Sequence, residues 1–600
     1  MSDDSQHQAS IQTNQFGDSY IDVVNQKHFQ NQSAADIYRQ IFDTSLNQKN
    51  TLYVIVGTDS GLFIKHLNQY PAPEKTQYLF IELDLIHPIA INQLTDQQLA
   101  NCHITLPVDW EEQAEKLDLD HYIYNDKVKI IKSLAANDGH IPDYEELFRQ
   151  VKSKLDAIHH ELISTTSQTD FLKNRLLNTV DNILPAKHLE GTASGTAIIL
   201  GAGPSLAEHL PWIKENEDKL TIIAVSRIYQ QLTNEGITPD IVISVDPFEI
   251  NYQNSKALLA SNSTVFVHSN HVSPKLPAQR DGLSFYLDSL FPWESSKNRE
   301  NLENHGPTVT HSALGLAIAM GFDEFLLSGV DYCYAETGQT HADGAKVNID
   351  PTNAPTVETY TGKIAFTDKN LQMGVKYLAE IAEPYTGKVF NLNNNAARVA
   401  GIDYKSNPDI SGTKWQLPEI DKATTKQQLD HLNMVKKELA KARASYNEIL
   451  KLSKDAIRFN DSLHGKKGIK QDFKSQQKLD KIEQKLNSKY KGYTSLAQLV
   501  ASREFLRLLN QDSNNRTAEH EHRWLDNYYN AYLKGTLVVL DAIEAAQKNA
   551  DYRLQEYKPK PKVDVLIDHW KKLDIPGRSC IWINAHADST EINNQQELLK

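Results

Sequence analysis

The chain has 600 residues, of which 40% are hydrophobic and 23% are charged, and its formal net charge is −14. This length is too great for one hydrophobic core, so we expect about three or four domains. The negative charge argues against a general nucleic-acid-binding protein, which would have a basic excess on one domain. The cysteines Cys102, Cys333 and Cys580 are too few and too far apart for a disulfide framework or a cysteine-based zinc site, and we expect a reducing compartment.

Two targeting signals are not found in the sequence. It contains no run of about 18 apolar residues, so we expect no membrane span. The first 15 residues are polar and acidic and do not contain the apolar region of a secretory signal. We therefore expect a cytoplasmic protein.

The first 40 residues are predicted to be a mobile leader that ends in a short helix, followed by an α/β domain over residues 41–185. In that domain an apolar run, 52–56, leads to Gly57 and Gly61, and a second run, 78–82, ends in Glu82. This outline suits a nucleotide-binding βαβ unit in which Glu82 would bind a ribose hydroxyl. The same glycines also suit an ordinary strand-to-helix turn, and both interpretations stay open.

The clearest pattern lies between residues 190 and 405. Short apolar runs alternate there with helical segments, and the runs cover residues 196–200, 220–225, 240–245, 264–267, 283–287, 324–328 and 388–391. Such alternation predicts a mostly parallel sheet with helices on both faces. We therefore predict a Rossmann-like domain over 190–405 that contains the catalytic site.

After residue 410 the pattern becomes helical, and we predict a helical bundle over residues 410–600. Apolar residues recur at spacings of three and four, namely Leu432, Val435, Leu439, Ala442, Tyr446 and Ile449. Further helical segments follow at about 476–510 and 517–550, and residues 580–583 suit a strand or a docking tail. We assign this domain to packing and partner binding.

The strongest local motif is the loop that follows the run 196–200. It contains Gly201, Gly203, Pro204 and Ser205, and a helix is predicted to begin near Ser205. Backbone N–H groups at a helix start attract a phosphate, and glycines let it approach closely. Ser205 is also a good N-cap residue. Neither the third glycine of a dinucleotide fold nor the Gly-Lys-Ser/Thr of a P-loop is present.

Polar residues follow several other predicted strands, where ligands of open parallel sheets bind. Asp246 and Asn270 lie at two of these strand ends, although Asp246 precedes a proline and could simply cap a turn. Thr310, His311 and Ser312 begin a helix, where such residues bind an anion or cap the helix.

Further candidates follow the run 324–328. Asp331 and Tyr332 come directly after it, and His341 and Asp343 lie in the next loop. A histidine beside a carboxylate is a candidate general base.

Together these motifs resemble the motility accessory factor (Maf) family of flagellin glycosyltransferases. The similar stretches are Ala-Ile-Ile-Leu-Gly-Ala-Gly-Pro-Ser-Leu (197–206), Ser-Val-Asp-Pro (244–247), Thr-Val-Thr-His-Ser-Ala (308–313), Leu-Leu-Ser-Gly-Val-Asp-Tyr (326–332) and Thr-His-Ala-Asp-Gly (340–344). The resemblance implies transfer of pseudaminic or legionaminic acid from its CMP-activated form to serine or threonine hydroxyls of flagellin, for flagellar assembly and motility. No tightly bound cofactor is implied, metal dependence is open, and so is homo-oligomerisation.

The central domain is also similar to bacterial sialyltransferases, and this similarity implies site roles. Gly201, Gly203, Pro204 and Ser205 would bind the CMP phosphate. Thr310, His311 and Ser312 would line the nucleotide pocket, and Asp331 and Tyr332 the sugar side.

One departure concerns the catalytic base. Residues 362–368 contain no histidine where sialyltransferases have a catalytic one, so His341 is our candidate, with Asp331 and Asp343 as rivals. The central domain has no Asp-x-Asp motif, which argues weakly against an essential metal. Two alternatives remain: an enzyme like the archaeal pterin pyrophosphokinases, and a non-enzymatic flagellin-binding factor.

Overall fold

A computed structural model describes residues 10–42, 45–95, 101–125, 127–342, 354–410, 412–509 and 517–585. The chain divides into two compact units, Met1–Thr166 and Ser167–Lys600. Each unit has its own parallel sheet. The predicted fold class, a multidomain α/β protein with a helical C-terminal part, is confirmed.

The N-terminal unit begins with a small folded segment. It consists of β1 (Ile11–Thr13), β2 (Ser19–Ile21), α1 (Asp22–Phe29) and α2 (Ala34–Phe42). Tyr20, Ile21 and Phe29 are at most 2% exposed and pack with the apolar residues of the unit. The expectation of a mobile leader is therefore corrected over residues 10–42, because these apolar side chains are buried.

A four-stranded parallel sheet forms the centre of this unit, in the order β5-β4-β3-β6. Its elements are β3 (Leu52–Val56), α3 (Leu62–Leu67), β4 (Gln77–Ile81), α4 (His87–Ile91), β5 (Cys102–Thr105), α5 (Trp110–Lys116), α6 (Leu119–Tyr124), β6 (Val128–Lys132) and α7 (Leu134–Asn137). The helix α8 (Pro142–Asn178) follows and contains the boundary between the two units.

The second unit contains an eight-stranded parallel sheet among its described residues, in the order β11-β10-β9-β8-β7-β12-β15-β16. Its elements are β7 (Thr196–Leu200), α9 (Leu206–Glu215), β8 (Thr221–Val225), α10 (Tyr229–Asn234), β9 (Ile241–Ser244), α11 (Glu249–Ser255), β10 (Val265–His268), α12 (Lys275–Ala278), β11 (Ser284–Tyr286), α13 (Val309–Met320), β12 (Glu324–Ser328), α14 (Lys369–Ala382), β15 (Val389–Asn391) and β16 (Asp403–Tyr404). A separate antiparallel hairpin, β13 (Thr356–Glu358) and β14 (Ile364–Phe366), precedes α14.

The order of the strands reverses at β7. From β7 the chain adds β8 to β11 on one side, and it then returns to place β12 on the other side. Ligands of open parallel sheets bind beyond the carboxyl ends of the strands at such a reversal. The loops after β7 and β12 meet there, since the Gly201 N–H donates to the Ser328 carbonyl over 2.8 Å.

The rest of the described chain is helical. It comprises α15 (Thr425–His464), α16 (Ser475–Asn487), α17 (Lys491–Val500), α18 (Ser502–Leu509), α19 (Ala518–Glu556), α20 (Val563–Lys572) and α21 (Pro576–Ala585). The six predicted apolar positions of α15 are all buried in one core. Residues 580–583 lie in α21, so the predicted strand or tail is corrected: Trp582 is buried, and its indole donates to the Glu556 carbonyl over 3.0 Å.

None of the helices in the described ranges combines the length and the apolar character that crossing a bilayer requires. The predicted boundaries of the central and helical domains stay predictions.

Candidate functional site

A cavity of 770 Å³ lies at the reversal of strand order. We call it the Asp331 cavity. Its wall includes Ser205 after β7, Asp331 after β12 and Asn393 after β15, together with Lys363 from the β13–β14 hairpin. The carboxyl ends of three neighbouring strands therefore provide polar groups to one space.

Asp331 connects these strand ends through its carboxylate. One oxygen accepts a hydrogen bond from the Ser205 N–H over 2.9 Å, and the other accepts from the Ser205 hydroxyl over 2.6 Å. The second oxygen also accepts from the Asn393 amide over 2.9 Å. Asp331 is 4% exposed. The carboxylate thus lies where α9 begins, at the end of the helix that favours negative charge.

The glycines of the predicted phosphate loop let two backbone segments approach closely. A Cβ atom on Gly201 would lie 2.3 Å from the Gly329 carbonyl oxygen, and one on Gly203 would lie 2.4 Å from an Asp331 oxygen. The Gly203 N–H donates to the Gly329 carbonyl over 2.7 Å, and the Ser205 N–H is bonded to Asp331. Pro204 has no N–H to offer.

The predicted contact of this loop with a phosphate stays a prediction, and the structure shows which hydrogen bonds its amides make within the chain. The amides that were to bind a phosphate already have acceptors within the chain in this structure. Ser205 occupies the N-cap position just before α9, but its hydroxyl donates to Asp331 and does not cap the helix. The loop therefore shapes the cavity wall.

His311 and Tyr332 belong to a buried polar cluster at the start of α13. The His311 Nδ1 accepts from the Thr308 N–H over 3.1 Å, so its Nε2–H donates to the Gly374 carbonyl over 2.9 Å. The Tyr332 hydroxyl lies 2.8 Å from the Thr310 hydroxyl. Burial lowers the pKa of His311, so its ring stays neutral near pH 7. Of the two sequence alternatives, the geometry favours helix capping.

Ser312 has a similar internal role. It is 1% exposed and donates to the Asn304 side chain and, over 3.0 Å, to the His305 carbonyl. Thr310, His311, Ser312 and Tyr332 are not among the residues that line the Asp331 cavity. Their proposed contacts with nucleotide and sugar stay predictions.

His341 lies on a different cavity, of 320 Å³, which we call the His341 cavity. Ala202 and Arg227 also line it. The Thr340 hydroxyl is 2.9 Å from the His341 Nδ1, and the Ala342 N–H donates to the Ala202 carbonyl over 2.9 Å. His341 and Asp331 therefore line two separate cavities, and Asp343 lies outside the described residues.

Asp246 and Asn270 line neither of these two cavities. Asp246 follows β9 and is exposed, whereas Asn270 is 2% exposed and donates to the Ser289 carbonyl over 2.8 Å. The Asn270 carbonyl in turn accepts from the Asn178 amide over 3.1 Å. Asn270 is thus hydrogen-bonded both to α8 and to the loop after β11.

In the N-terminal unit, the carboxylate of Glu82, which the sequence suggests as a ligand of a ribose hydroxyl, already accepts hydrogen bonds within the chain. Glu82 is fully buried and accepts from the Thr58 N–H at 2.7 Å, the Leu83 N–H at 2.8 Å and the Tyr144 hydroxyl at 2.7 Å. Burial raises the pKa of Glu82 despite these hydrogen bonds. The geometry favours the ordinary strand-to-helix turn.

A known protein family matches part of the large sheet. Residues 173–337 match the family model described as 6-hydroxymethylpterin diphosphokinase MptE-like. The chain is 29% identical over 157 residues to a 6-hydroxymethyl-7,8-dihydropterin pyrophosphokinase of Methanothermobacter thermautotrophicus, covering 25% of this chain and 63% of that protein. It is 36% identical over 83 residues to an uncharacterised protein of Treponema pallidum, covering 14% of this chain and 40% of that protein.

A solved structure is similar over more of the chain. It is described as a Maf glycosyltransferase from Magnetospirillum magneticum AMB-1, and the match covers 92% of this chain and 95% of that chain. The identity is 13% and the TM-score is 0.41. Its description names the family that the motifs resemble.

Several residues of the Asp331 cavity were missed by the sequence analysis. Lys363, Glu208 and Glu336 lie in ordinary polar contexts that contain no motif. Asn393 did have a signal, because it belongs to the run Asn-Asn-Asn (393–395) two residues after the apolar run 388–391. A search of the described residues finds no group of three or more His, Cys, Asp or Glu side chains that could hold a metal.

Proposed function

We propose that this protein is a glycosyltransferase that moves a nonulosonic acid, pseudaminic or legionaminic, from its CMP-activated form to serine or threonine hydroxyls of flagellin. The motifs that resemble the Maf family support this proposal, because two of them form walls of one cavity. The acceptor would be met in the cytoplasm before flagellar assembly.

The observation that carries the proposal is the position of the Asp331 cavity. It lies at the reversal of strand order, and its volume of 770 Å³ is within the range of pockets that bind small molecules. Ser205 and Asp331 belong to the motifs shared with sialyltransferases, and both contribute to its wall. A CMP-sugar would bind in this space.

Three carboxylates, Glu208, Asp331 and Glu336, line the cavity, so the contact that holds an anionic donor falls to its cation. Among its described lining residues Lys363 is the only cation, and it lies 3.3 Å from a Glu336 oxygen. The donor has a phosphate and a sugar carboxylate, so we assign Lys363 to one of these groups. Asn395, after β15, offers a side-chain amide, whereas the Asn393 amide already donates to Asp331.

Asp331 is assigned a positioning role, because both of its oxygens already accept hydrogen bonds within the protein. As the bond to CMP breaks, positive charge would develop on the sugar in the transition state. A base would take the proton of the attacking acceptor hydroxyl. His341 stays our predicted base: it lines the His341 cavity together with Ala202, and later residues of the same loop, Pro204 and Ser205, line the Asp331 cavity.

The test is incubation of the full chain with flagellin and CMP-pseudaminic or CMP-legionaminic acid, followed by intact-mass measurement. We expect a mass gain equal to one or more sugar residues. At a donor concentration below KM the gain should form more slowly in Lys363→Ala and at an unchanged rate in Lys376→Ala, whose exposed side chain does not line the cavity. Parallel reactions with EDTA test metal dependence. No mass gain with either donor, together with flagellin binding, would favour the non-enzymatic alternative.

A pterin pyrophosphokinase-like activity is the second candidate. The family model matches residues 173–337, which include the strands β7 to β12, and the Methanothermobacter enzyme matches 157 residues of the chain. However, Lys363 and Asn393 lie beyond residue 337, where the family match ends. Thermal stabilisation by CMP and not by ATP with a hydroxymethylpterin would support the glycosyltransferase, since a ligand stabilises the fold that binds it.

A further inference from the structure

A third cavity lies at the opposite end of the sheet from the Asp331 cavity. Its volume is 420 Å³, and its wall includes Leu283 and Ser284, where β11 begins. The remaining wall comes from the segment after α8, the start of α15, the end of α19 and α21. We call it the Arg553 cavity. It lies where the helical region packs on the amino-terminal edge of the sheet.

A buried ion network forms one wall of the Arg553 cavity. Arg553 is 3% exposed and donates to Asp181 over 2.6 Å, while its other terminal nitrogen, Nη1, is 3.8 Å from Glu556. Arg578 donates to Glu556 over 3.1 Å. Although burial opposes ionisation of Glu556, the two arginines outweigh it and hold its pKa below the ordinary value. The network therefore has two cations and two carboxylates.

One group of this network is not satisfied. Within the described part of the chain, the Arg553 Nη1 is buried and has no hydrogen-bond acceptor. A distance of 3.8 Å to Glu556 is too long for a hydrogen bond. A buried guanidinium N–H without an acceptor costs free energy, so an acceptor at this position would stabilise the protein.

The other charges of the wall leave an excess of one cation. Arg280 and Lys422 also line the cavity, and Lys422 is 3.1 Å from Asp281. Arg280 is 7% exposed, and its guanidinium donates to the backbone carbonyls of Leu258, Ser261 and Thr264. The lining thus contains four cations, Arg280, Lys422, Arg553 and Arg578, and three carboxylates, Asp181, Asp281 and Glu556.

We propose that the Arg553 cavity binds a small oxyanion, a phosphate or a carboxylate, whose oxygen accepts from the Arg553 Nη1. A single negative charge would balance the excess cation in surroundings where uncompensated charge is unfavourable. Leu432 and Trp582 also line the cavity, so an apolar part of the ligand could pack beside the oxyanion. This site is separate from the one assigned to the CMP-sugar.

The test uses the full chain and two probes, inorganic phosphate and benzoate, with sodium chloride at matched ionic strength. Binding is measured by equilibrium dialysis with labelled probe and by thermal unfolding. Arg553→Lys keeps the charge beside Asp181 but removes Nη1, and Ala423→Leu places a larger side chain at a lining position outside the ion network. We expect one saturable site, and affinity about tenfold weaker in Arg553→Lys, as loss of one charge-assisted hydrogen bond predicts.

If Arg553→Lys does not fold, Ala423→Leu tests whether the probes bind in the Arg553 cavity. We expect it to unfold at nearly the temperature of the unmodified chain in sodium chloride and to lose the response to the probe. A response to phosphate alone or to benzoate alone identifies the oxyanion class. Absence of saturable binding of both probes overturns the proposal. Equal stabilisation of the unmodified chain and Ala423→Leu also overturns it, because salt exclusion from the surface acts on every variant alike.

Discussion

Asp331 accepts two hydrogen bonds from Ser205, one from the backbone N–H at 2.9 Å and one from the hydroxyl at 2.6 Å. The contact joins the loop after β12 to the N-cap residue of α9, across the point where the strand order reverses. In the N-terminal unit, Asp59 accepts from the Leu134 and Ala135 N–H groups at the start of α7. In both units, therefore, an aspartate that follows one strand accepts hydrogen bonds from the start of a helix. That helix follows the neighbouring strand of the same sheet.

Because Ser205 and Asp331 are hydrogen-bonded to each other, we predict that substitutions at the two positions have non-additive effects on the free energy of unfolding. We expect Ser205→Ala to lower the free energy of unfolding by about 1–2 kcal/mol and Asp331→Asn by about 2–3 kcal/mol, since charge-assisted hydrogen bonds are lost. The double variant should lose about 1–2 kcal/mol less stability than the sum of the two single losses, because both changes remove the same interaction. Urea unfolding of the four proteins measures this coupling, and strictly additive losses would contradict it.

Gly203 is predicted to tolerate no side chain. A Cβ atom there would lie 2.4 Å from an Asp331 oxygen and 2.6 Å from the Gly329 carbonyl oxygen. We expect Gly203→Ala to cost about 3 kcal/mol through overpacking and to abolish donor binding. Gly492→Ala, in α17, is the control, because the nearest atoms to its Cβ would belong to the Glu294 side chain, at an ordinary contact distance of 3.7 Å. The control should be neutral or stabilising by up to about 1 kcal/mol, and equal losses in the two variants would refute the argument.

Lys363 is predicted to determine the affinity for the anionic donor. Lys363→Ala should raise the KM for the CMP-sugar about tenfold, as expected for loss of a charge-assisted hydrogen bond. Lys363→Arg should restore part of this loss because it keeps the charge. Steady-state transfer kinetics measure both, and an unchanged KM in Lys363→Ala would exclude the assigned contact.

His341 is predicted to act on the acceptor hydroxyl as general base. His341→Ala should lower kcat about a hundredfold or more and leave thermal stability nearly unchanged. The exposed His188 provides a matched control, since it lines neither of the cavities at the strand ends. Near-full activity of His341→Ala would remove His341 from the mechanism.

His268 is predicted to make the second unit sensitive to acid. Burial lowers the pKa of His268 from 6.5 to about 4. The folded pKa is below the unfolded one, so the unfolded chain binds more protons between these values, and stability falls as the pH drops from about 6.5 to about 4. The group alone would contribute about 3 kcal/mol at the lower limit.

The matched variant is His268→Asn, whose amide can still donate to the Ser269 carbonyl that His268 Nδ1 contacts at 2.9 Å. We expect its stability to depend less on pH than that of the unmodified chain. Denaturant unfolding between pH 4 and 7 provides the comparison, with the exposed His188→Asn as a control. Identical pH profiles of His268→Asn and the unmodified chain would contradict the prediction.

Much of the fold could be predicted from local sequence. The strands β7 and β12 begin and end at the predicted residues, and the apolar positions of α15 form its buried face. These features depend on local hydrophobic periodicity, which a single sequence displays. Residues 580–583 were harder, because a short apolar run suits a strand or a helix equally well, and contacts of Trp582 decide between them.

The sequence alone therefore determined the α/β class, most strands of the large sheet and the loops at its carboxyl edge. Only the tertiary structure decided which contacts those loops make within the chain. It engages the Ser205 amide with Asp331, encloses His311 in a capping cluster and separates His341 from Asp331. These outcomes depend on contacts between residues more than a hundred positions apart or on close packing between loops, and local periodicity contains no information about either.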